Sequence, residues 1–345
     1  MKPKKPLPTD LKFGTLFTEH MVTARFDIAS GWSAHELTAY KPLALDPAAS
    51  VLHYGQAIFE GLKAFTTKDG RTAVFRPERH AKRFRQSAER TCMEQVPEQL
   101  FLDSVFALVR ADEQHVPEAA GTSLYLRPTL IANEAFLGVR PAHQYIFFVI
   151  ACPVGPYYAE GFKPVDIWVE QEFVRAAPGG LGAAKVGANY VASLYAAERA
   201  KQAGYAQVLW TDAVEHRYID EVGTMNVFIR LRDEIVTPPS GSTALAGVTR
   251  DSVITLLKEF GLKVSERRIS VDEVVAAHGR GDLLEMFGTG TGAVISPVGK
   301  LGLRDRSLEL GRGEAGEVAQ RLFDELQGIQ RGTLPDRHGW LHYVT

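Results

Sequence analysis

The alternation of apolar and polar residues predicts a regular order of elements in the first half of the chain. Strand-like residues are dense in four segments: SVLHYGQAIFEGLKAFTT and RTAVFRP, which flank the turn KDGR, then TSLYLRPTLIANE and QYIFFVIACPV. Between the two pairs, apolar spacing predicts one helix starting at RPERHAKRF, with Pro77 in its first turn, and another in EQLFLDSVFALVRADEQH. The predicted order is therefore strand, strand, helix, helix, strand, strand.

A segment rich in proline and glycine, GPYYAEGFKPV, separates this region from the rest of the chain. Such a composition between apolar segments is typical of a linker. We therefore predict an N-terminal domain at residues 1–152, a linker at 153–164 and a C-terminal domain at 165–345. Helices are predicted at 190–203, 250–260 and 314–328. Because strands come in groups and do not alternate strictly with helices, the predicted fold class is α+β, with mixed α/β content in two domains.

Size, charge and cysteine content narrow the possible functions. The 345 residues are enough for two domains, and the formal net charge of −2 disfavours nucleic acid or an anionic membrane as a partner. No apolar run follows the basic N-terminus as in a secretory signal, and the longest apolar run is too short to span a bilayer. Cys92 and Cys152 lack metal-ligand spacing. We therefore expect no metal, no disulfide and a cytoplasmic location.

Lys185 lies among glycines and alanines in the segment GGLGAAKVGANY. Most lysines are exposed, so a solvated loop lysine is one interpretation. A lysine that acts as a nucleophile or base must lose its proton, and an apolar pocket favours that loss by lowering its pKa. Tyr190, at the start of an alanine-rich predicted helix, could bring a hydroxyl to the same site.

Acidic and anion-binding candidates lie further along the chain. Asp220 and Glu221 precede a Gly-Thr turn and an apolar strand, so one carboxylate could face inward toward a cation, although a solvated pair is the alternative. Thr249 in GVTRDSV is at a predicted helix start, where backbone N–H groups favour a phosphate. The segment FGTGTGAVISPVG could bind a phosphate or a carboxylate, but its spacing is not the dinucleotide-binding GxGxxG.

Arginines and aromatic residues are the candidates of the N-terminal half. The arginines are Arg76, Arg79, Arg83, Arg85 and Arg127. A planar anion is the partner that would give one of them a function. Tyr54 and Phe59 come together at strand spacing, with core packing as the alternative. These candidates, taken together, match the needs of pyridoxal phosphate. Its aldehyde needs a lysine, its ring nitrogen needs an acid, and its phosphate needs a helix start and an arginine.

Eight segments in family order resemble the branched-chain amino acid aminotransferases of the fold-type IV pyridoxal-phosphate class. They are HYGQAIFEGLKAF, FRPERHAKR, YLRPTLIANEAFLGV, CPVGPYY, KVGANYVASLYAAERAKQAGYAQVLWTD, DEVGTMNVF, GVTRDSV and FGTGTGAVISPVG. The likeness runs from about Gly14 to the end of the chain. It implies pyridoxal 5'-phosphate as the cofactor, a small N-terminal α/β domain and a larger, strand-rich C-terminal domain.

The resemblance also implies how the cofactor is held. Lys185 would form the Schiff base, and Tyr190 would hydrogen-bond the phenolic oxygen. Glu221 is preferred over Asp220 as the partner of the ring nitrogen, because the segment EVGTMN fixes its place. The residues expected to bind the phosphate are Arg83, the backbone at Val248 and Thr249, and the side chain of Thr291.

The substrate-binding residues follow from the same resemblance. They are Tyr54, Phe59, Tyr125, Arg127, Val139, Tyr157, Thr291 and Gly292. An apolar pocket suits leucine, isoleucine and valine, while Arg127 and the tyrosines would accept the second carboxylate of glutamate. Val139 lies in EAFLGVRP, which matches a segment that reaches the neighbouring subunit's site, so a homodimer is implied. Gly292 stands where many relatives have alanine, which would loosen the carboxylate-binding turn.

The implied reaction is a reversible ping-pong transfer of the amino group between leucine, isoleucine or valine and 2-oxoglutarate. Two alternatives share the fold and cofactor, a D-amino acid aminotransferase and an aminodeoxychorismate lyase, and the pairing of YLRP with GTGTG favours the branched-chain reaction. A third alternative is a catalytically silent binding protein. The joint presence of Lys185, Tyr190, Glu221 and Arg83 argues against it.

Overall fold

A computed structural model of the chain describes residues 4–8, 10–157, 161–311 and 313–344. The chain divides into two compact units. The first unit comprises Met1–Tyr157, Ala184–Gly187 and Gln327–Thr345, and the second comprises Tyr158–Ala183 and Ala188–Leu326. The chain thus leaves the first unit inside the predicted linker and returns to it twice.

The first unit contains an antiparallel sheet, which has nine strands among the residues described. Its strands are β1 (His20–Asp27), β2 (Gly31–Trp32), β3 (Glu36–Ala39), β4 (Ala57–Phe59), β5 (Leu62–Thr66), β6 (Thr72–Phe75), β7 (Ser123–Ala132), β8 (Gln144–Val154) and, last in the chain, β18 (Leu341–Tyr343). The order is β18-β6-β5-β7-β8-β1-β2, with β3 beside β1 and β4 beside β7. The strands predicted over 122–134 and 144–154 are confirmed as β7 and β8.

The helices of this unit are α1 (Ser50–Tyr54), α2 (Pro77–Arg90) and α3 (Glu98–Ala111), followed by a 3-10 turn at Glu113–His115. Both predicted helices are confirmed, and α2 has its proline in the first turn. The strand-like interpretation of SVLHY is wrong, because these residues form α1. Gly55 ends this helix in the left-handed conformation, with φ of 62°. Tyr54 and Phe59 therefore lie on a helix end and on β4, and strand spacing does not relate them.

Three phenylalanines join the helices of the first unit to its sheet. Phe84 of α2, Phe101 of α3 and Phe147 of β8 are buried, and their ring centres lie 5.3 to 6.0 Å apart. Burial of such large apolar rings is a main source of folding free energy. This aromatic core therefore holds α2 against the sheet.

The second unit contains a mixed sheet, also of nine strands among the described residues. Its strands are β9 (Val165–Glu170), β10 (Gln207–Thr211), β11 (Ile219–Val222), β12 (Asn226–Leu231), β13 (Ile235–Thr237), β14 (Val264–Glu266), β15 (Leu283–Gly290), β16 (Val294–Gly302) and β17 (Ser307–Glu309). The order is β11-β10-β9-β16-β15-β12-β13-β14, with β17 beside β16. Strand β9 pairs in parallel with both β10 and β16.

The remaining helices are α4 (Gly187–Gln202), α5 (Val248–Glu259), α6 (Val271–Arg280) and α7 (Glu317–Gln330). The predictions of α4, α5 and α7 are confirmed, with shifts of up to three residues at their ends. Helix α6 was not predicted, although its start carries a signal: the side chain of Ser270 accepts a hydrogen bond from the N–H of Glu273. No helix in the described part of the chain is both long and apolar enough to cross a membrane.

Two chain segments after residue 165 pair with strands of the first unit. Residues 341–343 pair with β6, Leu341 opposite Phe75, and Val186 forms a bridge to Ile58 at β4. These pairings place both segments in the first unit, whereas the predicted second domain runs from 165 to 345. The predicted linker, 153–164, includes the end of β8 and, at 158–160, residues outside those described. The domain assignment itself stays a prediction.

Candidate active site

The lysine of the glycine and alanine segment is fixed through its main chain in the first unit. The N–H of Phe59 donates to the carbonyl of Lys185 over 3.0 Å, and the N–H of Lys185 donates to Oγ of Ser87 over 2.9 Å. Its Nζ lies 4.8 Å from the centre of the Phe59 ring. Because β4 binds the carbonyl of Lys185 and α2 binds its N–H, the side-chain amine extends from a fixed main chain.

Helix α2 presents three polar side chains on one face. His80, Arg83 and Ser87 follow one another at spacings of three and four residues and are all buried. Arg83 donates from Nε to Oε1 of Glu60 over 2.7 Å and from Nη2 to Oε2 over 2.8 Å. Nδ1 of His80 lies 2.7 Å from the same Oε2. The helix that contacts Lys185 thus also carries a buried, two-point ion pair.

The charges of this cluster follow from its burial and its contacts. Burial alone would raise the pKa of Glu60, but the charges of Arg83 and His80 and their hydrogen bonds outweigh it, so the net shift of the pKa is downward. For His80, burial lowers the pKa more than Glu60 raises it. Near neutral pH, Glu60 is therefore ionised and His80 is neutral, with Nδ1–H as the donor to the carboxylate.

A second group in the first unit surrounds one guanidinium with aromatic rings. The Arg127 guanidinium carbon lies 4.6 Å from the centre of the Phe59 ring, and its Nη2 donates to the hydroxyl of Tyr125 over 3.1 Å. Nε of Arg127 is buried, with no hydrogen-bond partner in the part of the chain that is described. An orphaned, buried N–H beside apolar rings favours an anionic ligand.

Small and aromatic neighbours shape this group further. The ring of Phe13 lies 4.8 Å from that of Tyr125 and 6.4 Å from that of Tyr157. A Cβ at Gly61 would come within 1.9 Å of the Tyr125 hydroxyl oxygen. Glycine at this position is therefore required for the position of Tyr125.

The other predicted substrate residues of the first unit lie in a more exposed region. Tyr54 donates from its hydroxyl to the carbonyl of Leu137. Val139 is 86% exposed, and Phe136 and Leu137 beside it are also exposed. This loop thus presents apolar side chains outward.

In the second unit, Glu221 of β11 is buried and held from three directions. Its Oε1 accepts the N–H of Leu245 at 2.8 Å and Nδ2 of Asn226 at 3.3 Å. Its Oε2 lies 3.0 Å from Nε of Arg175, whose Nη2 donates to the carbonyls of Gly182 and Thr243. The result is an oriented carboxylate inside the unit.

Asp220, the neighbouring acid, has a different environment. Burial raises its pKa, which a hydrogen bond from Thr243 partly opposes. It alternates with Glu221 along β11 and therefore faces the other side of the strand. The Arg175 ion pair thus belongs to Glu221.

Asn226 links this carboxylate to the start of α5 within the second unit. Its Nδ2 also donates to the carbonyl of Leu245 over 2.9 Å, and a Cβ at Gly247 would come within 2.0 Å of its Oδ1. Gly247 is the N-cap of α5 and supplies no side-chain cap. The first residues of the helix, Val248 and Thr249, are buried. Backbone N–H groups at such a start favour an anion.

Three further predicted site residues lie in the second unit. Thr291 and Gly292 lie in the turn between β15 and β16, and Tyr190 is half-buried in the first turns of α4. Just before that turn, Thr289 is buried, and its Oγ1 has no hydrogen-bond partner among the described residues. An unsatisfied hydroxyl is consistent with a ligand nearby.

The donor set fits pyridoxal phosphate. Its members are an amine, an oriented carboxylate, a phenol, an arginine and a helix start without a capping side chain. The first unit brings Lys185 and Phe59 together, and the second contains Glu221. Sequence reasoning missed the side chains that hold these groups in place, which are Glu60, His80, Ser87, Arg175 and Asn226. For Glu60 a signal existed, because an acid inside the apolar run AIFEGLKAF needs a buried cation.

Comparison with known proteins identifies the class to which this fold and donor set belong. The sequence profile of the family described as class IV amino-transferase matches residues 57–301. The chain therefore belongs to the class IV aminotransferases.

Individual relatives are similar over nearly their whole length. The branched-chain-amino-acid aminotransferase 2 of Bacillus subtilis (strain 168) is 50% identical over 339 residues, which cover 98% of this chain and 93% of that protein. The branched-chain-amino-acid aminotransferase of Mycolicibacterium smegmatis is 46% identical, with 95% and 91% covered.

Solved structures agree with this assignment. The branched-chain amino acid aminotransferase of Escherichia coli superposes with a TM-score of 0.81 at 27% identity, covering 95% of this chain and 100% of that chain. A second branched-chain amino acid aminotransferase, solved with pyridoxamine 5'-phosphate, gives 0.80 at 28% identity, covering 96% and 100%. The predicted family, the α+β fold of fold-type IV and a pyridoxal-phosphate-dependent transaminase are confirmed.

Proposed function

We propose that this chain is a branched-chain amino acid aminotransferase, which transfers the amino group reversibly between leucine, isoleucine or valine and 2-oxoglutarate. The names of the relatives and of the superposed structures support the substrate class directly. The structural observation that carries the proposal is Phe59, whose ring lies beneath both the amine of Lys185 and the guanidinium of Arg127. One ring thus relates the proposed nucleophile to the proposed carboxylate-binding group.

Lys185 is the proposed catalytic residue. Pyridoxal phosphate supplies an aldehyde that exchanges amines and a ring that accepts electrons from the substrate Cα. Lys185 would hold the cofactor through Nζ until the substrate amine takes its place. The freed amine would then take the proton from the substrate Cα, as a general base on a fixed main chain.

Two further residues would set the protonation of the ring. Glu221, oriented by Asn226 and the N–H of Leu245, would accept a hydrogen bond from the ring nitrogen and keep its proton in place. The Arg175 ion pair favours the ionised carboxylate that this role requires. Tyr190 would donate its hydroxyl to the phenolic oxygen.

The phosphate would be bound by one cation, one hydroxyl and backbone N–H groups. The proposed groups are the guanidinium of Arg83, the backbone at Val248 and Thr249, and the side chain of Thr291. The buried helix start of α5, whose N-cap is a glycine, supports the backbone contacts.

Substrate recognition would combine an apolar wall with one cation. Phe59, Tyr125 and Tyr157 suit the branched side chains, and Arg127 would bind the second carboxylate of glutamate, for which its buried Nε is suited. Tyr54, Val139, Thr291 and Gly292 complete the proposed set.

The outward-facing loop around Val139 supports a homodimer, in which this loop would reach the neighbouring site. A cytoplasmic location and the absence of nucleic-acid, membrane and metal partners remain part of the proposal.

Steady-state rates with three amino donors test the proposed substrate class. We expect turnover with leucine and 2-oxoglutarate, and little with D-alanine or aminodeoxychorismate. A preference for D-alanine, or pyruvate release from aminodeoxychorismate, would replace the branched-chain proposal by one of the alternatives that share the fold. No turnover with any donor, in protein that has bound the cofactor, would favour the silent binding protein.

A further inference from the structure

We propose that Glu60 is a positioning residue for cofactor binding: its carboxylate holds the Arg83 guanidinium in the orientation that binds the phosphate, and His80 in turn holds Glu60. The inference rests on the proposed role of Arg83. It extends the site to two residues that act through another residue and do not themselves bind the cofactor.

The contact between Glu60 and Arg83 fixes an orientation as well as a position. The two hydrogen bonds of 2.7 and 2.8 Å join Nε and Nη2 to separate carboxylate oxygens. This two-point geometry sets the plane of the guanidinium. An arginine without such a partner samples many rotamers. Ordering its side chain when a phosphate binds costs conformational entropy, which lowers the affinity for the phosphate.

Glu60 is itself unable to turn away. Its Oε2 contacts Nδ1 of His80 at 2.7 Å and accepts the N–H of Gly61 at 3.1 Å. Its own N–H donates to the carbonyl of Pro128 over 2.8 Å. The carboxylate is therefore held by a side chain and by its own strand, which makes it a rigid support for Arg83.

The same cluster connects to the proposed Schiff-base lysine. Ser87 lies one turn after Arg83 on α2 and accepts a hydrogen bond from the N–H of Lys185. Phe59 directly precedes Glu60, and its N–H donates to the carbonyl of Lys185. The residues that orient the proposed phosphate ligand are thus sequence neighbours of those that fix the lysine. The contacts that fix Lys185 come from Ser87 and from the main chain of Phe59, so they do not depend on the Glu60 carboxylate.

Two effects of Glu60 oppose each other. Its negative charge repels a phosphate dianion, so charge alone predicts that Glu60→Gln strengthens phosphate binding. Positioning predicts the reverse, because both carboxylate oxygens accept from Arg83. In either orientation the amide NH2 of glutamine would face a guanidinium N–H, and one of the two contacts that hold the guanidinium would be lost. Glu60 and Arg83 are both buried, and the contact that glutamine would lose is charge-assisted. We therefore expect the loss of positioning to outweigh the removal of the negative charge.

The test compares cofactor analogues with and without the phosphate. The full-length chain is freed of cofactor and titrated with pyridoxal phosphate and with pyridoxal, and Kd is read from absorbance. We expect Glu60→Gln to weaken pyridoxal phosphate about tenfold or more and to leave pyridoxal unchanged. A general folding defect would weaken both ligands equally and would overturn the proposal, as would unchanged or tighter binding of pyridoxal phosphate.

Glu285→Gln is the matched control. Glu285 is a buried glutamate that pairs with Arg230 at 2.8 Å and accepts the N–H groups of Val318 and Ala319. It lies in the second unit, outside the proposed site. We expect both Kd values to match those of the unsubstituted chain.

Two His80 variants test the same positioning role if Glu60→Gln does not fold. His80→Asn retains a donor near the position of Nδ1, whereas His80→Phe removes it at similar volume. We expect selective loss of pyridoxal phosphate affinity in His80→Phe and recovery in His80→Asn. Equal affinities in these two variants would contradict the role of His80.

Arg83→Lys separates this proposal from the proposed function. If the unsubstituted chain prefers pyridoxal phosphate to pyridoxal, and Arg83→Lys reduces that preference while Glu60→Gln does not, only the positioning role fails. If Arg83→Lys leaves the preference intact, the proposed phosphate contact of Arg83 fails as well.

Discussion

Single residues of the proposed site make short, buried contacts, such as those of Glu60 with Arg83 and of Gly61 with Tyr125. Lys185, Glu221 and Arg83 can be proposed from the sequence because each lies in a segment that resembles a family. For Glu60 the apolar run AIFEGLKAF indicates a buried acid but not its partner, since only the folded chain shows which buried acid meets which arginine. The contact of His80 with Glu60 likewise appears only in the fold. Local spacing carries no information about a partner twenty residues away.

Gly61→Ala tests the packing of the proposed carboxylate-binding group. The new Cβ would fall 1.9 Å from the hydroxyl oxygen and 2.7 Å from Cζ of Tyr125, so this ring must move and Arg127 loses its hydrogen-bond partner. We expect KM for 2-oxoglutarate to rise more than KM for leucine, and stability to fall by about 1–3 kcal/mol. Steady-state kinetics and thermal unfolding measure both.

Gly279→Ala is the control for this substitution. A Cβ at Gly279 meets nothing within 4 Å, and the residue lies on the exposed side of α6. Alanine there should stabilise the helix by up to about 1 kcal/mol and leave both KM values unchanged. Equal KM values in the two variants would show that Tyr125 does not orient Arg127.

At the scale of elements, the long strands and helices were predictable and the short ones were not. Strand β8 is a long apolar run, and helix α2 buries residues at helical spacing. The sequence of α1 reads as strand because its five residues are too few to show a helical period. Helix α6 was missed although Ser270 and Glu273 form a recognisable start.

Asp212 organises the turn that joins β10 to β11, the strand of Glu221. Its Oδ2 accepts the N–H groups of Val214 and Glu215, and its Oδ1 accepts those of Arg217 and Tyr218. Burial opposes ionisation, but these four hydrogen bonds outweigh it and lower the pKa of Asp212 to about 2, from 3.8. The turn is therefore stabilised by an ionised carboxylate.

This pKa shift predicts how stability depends on pH. A lowered folded-state pKa gives stability that is fully present above about pH 4 and is lost as the pH falls toward 2. We expect Asp212→Asn to reduce the free energy of unfolding at pH 7 by about 2 kcal/mol, and to flatten its decline between pH 4 and 2. Denaturant unfolding across this range measures the effect.

Asp233→Asn, in an exposed bend, is the control and should leave the profile unchanged. An Asp212→Asn profile parallel to that of the unsubstituted chain would contradict the role of this turn.

At the scale of the whole molecule, the path of the chain departs from the simple order of two consecutive domains. The C-terminal strand pairs with β6, more than 260 residues earlier. Its three residues are too few to show a strand period, and pairing over that distance is decided by the assembled sheet. The family resemblance, in contrast, covered nearly the whole chain and correctly predicted its class.

The proposed homodimer predicts the mass of the protein in solution. We expect light scattering to give a mass twice the 38.0 kDa of the chain. Val139→Glu should weaken this association and raise KM for leucine, because it places a charge in a loop that we expect the partner to cover. Val214→Glu, at another exposed valine, should change neither. A monomeric mass for the unsubstituted chain at all concentrations would contradict the dimer.

The visible absorption of the cofactor-loaded protein reports directly on the proposed transamination. We expect leucine to bleach its yellow band and 2-oxoglutarate to restore it, which would report both halves of the transfer in one sample. Lys185→Ala should still bind pyridoxal phosphate but should not complete this cycle. A yellow band that leucine leaves unchanged, or a Lys185→Ala variant that cycles like the unsubstituted chain, would contradict the assignment.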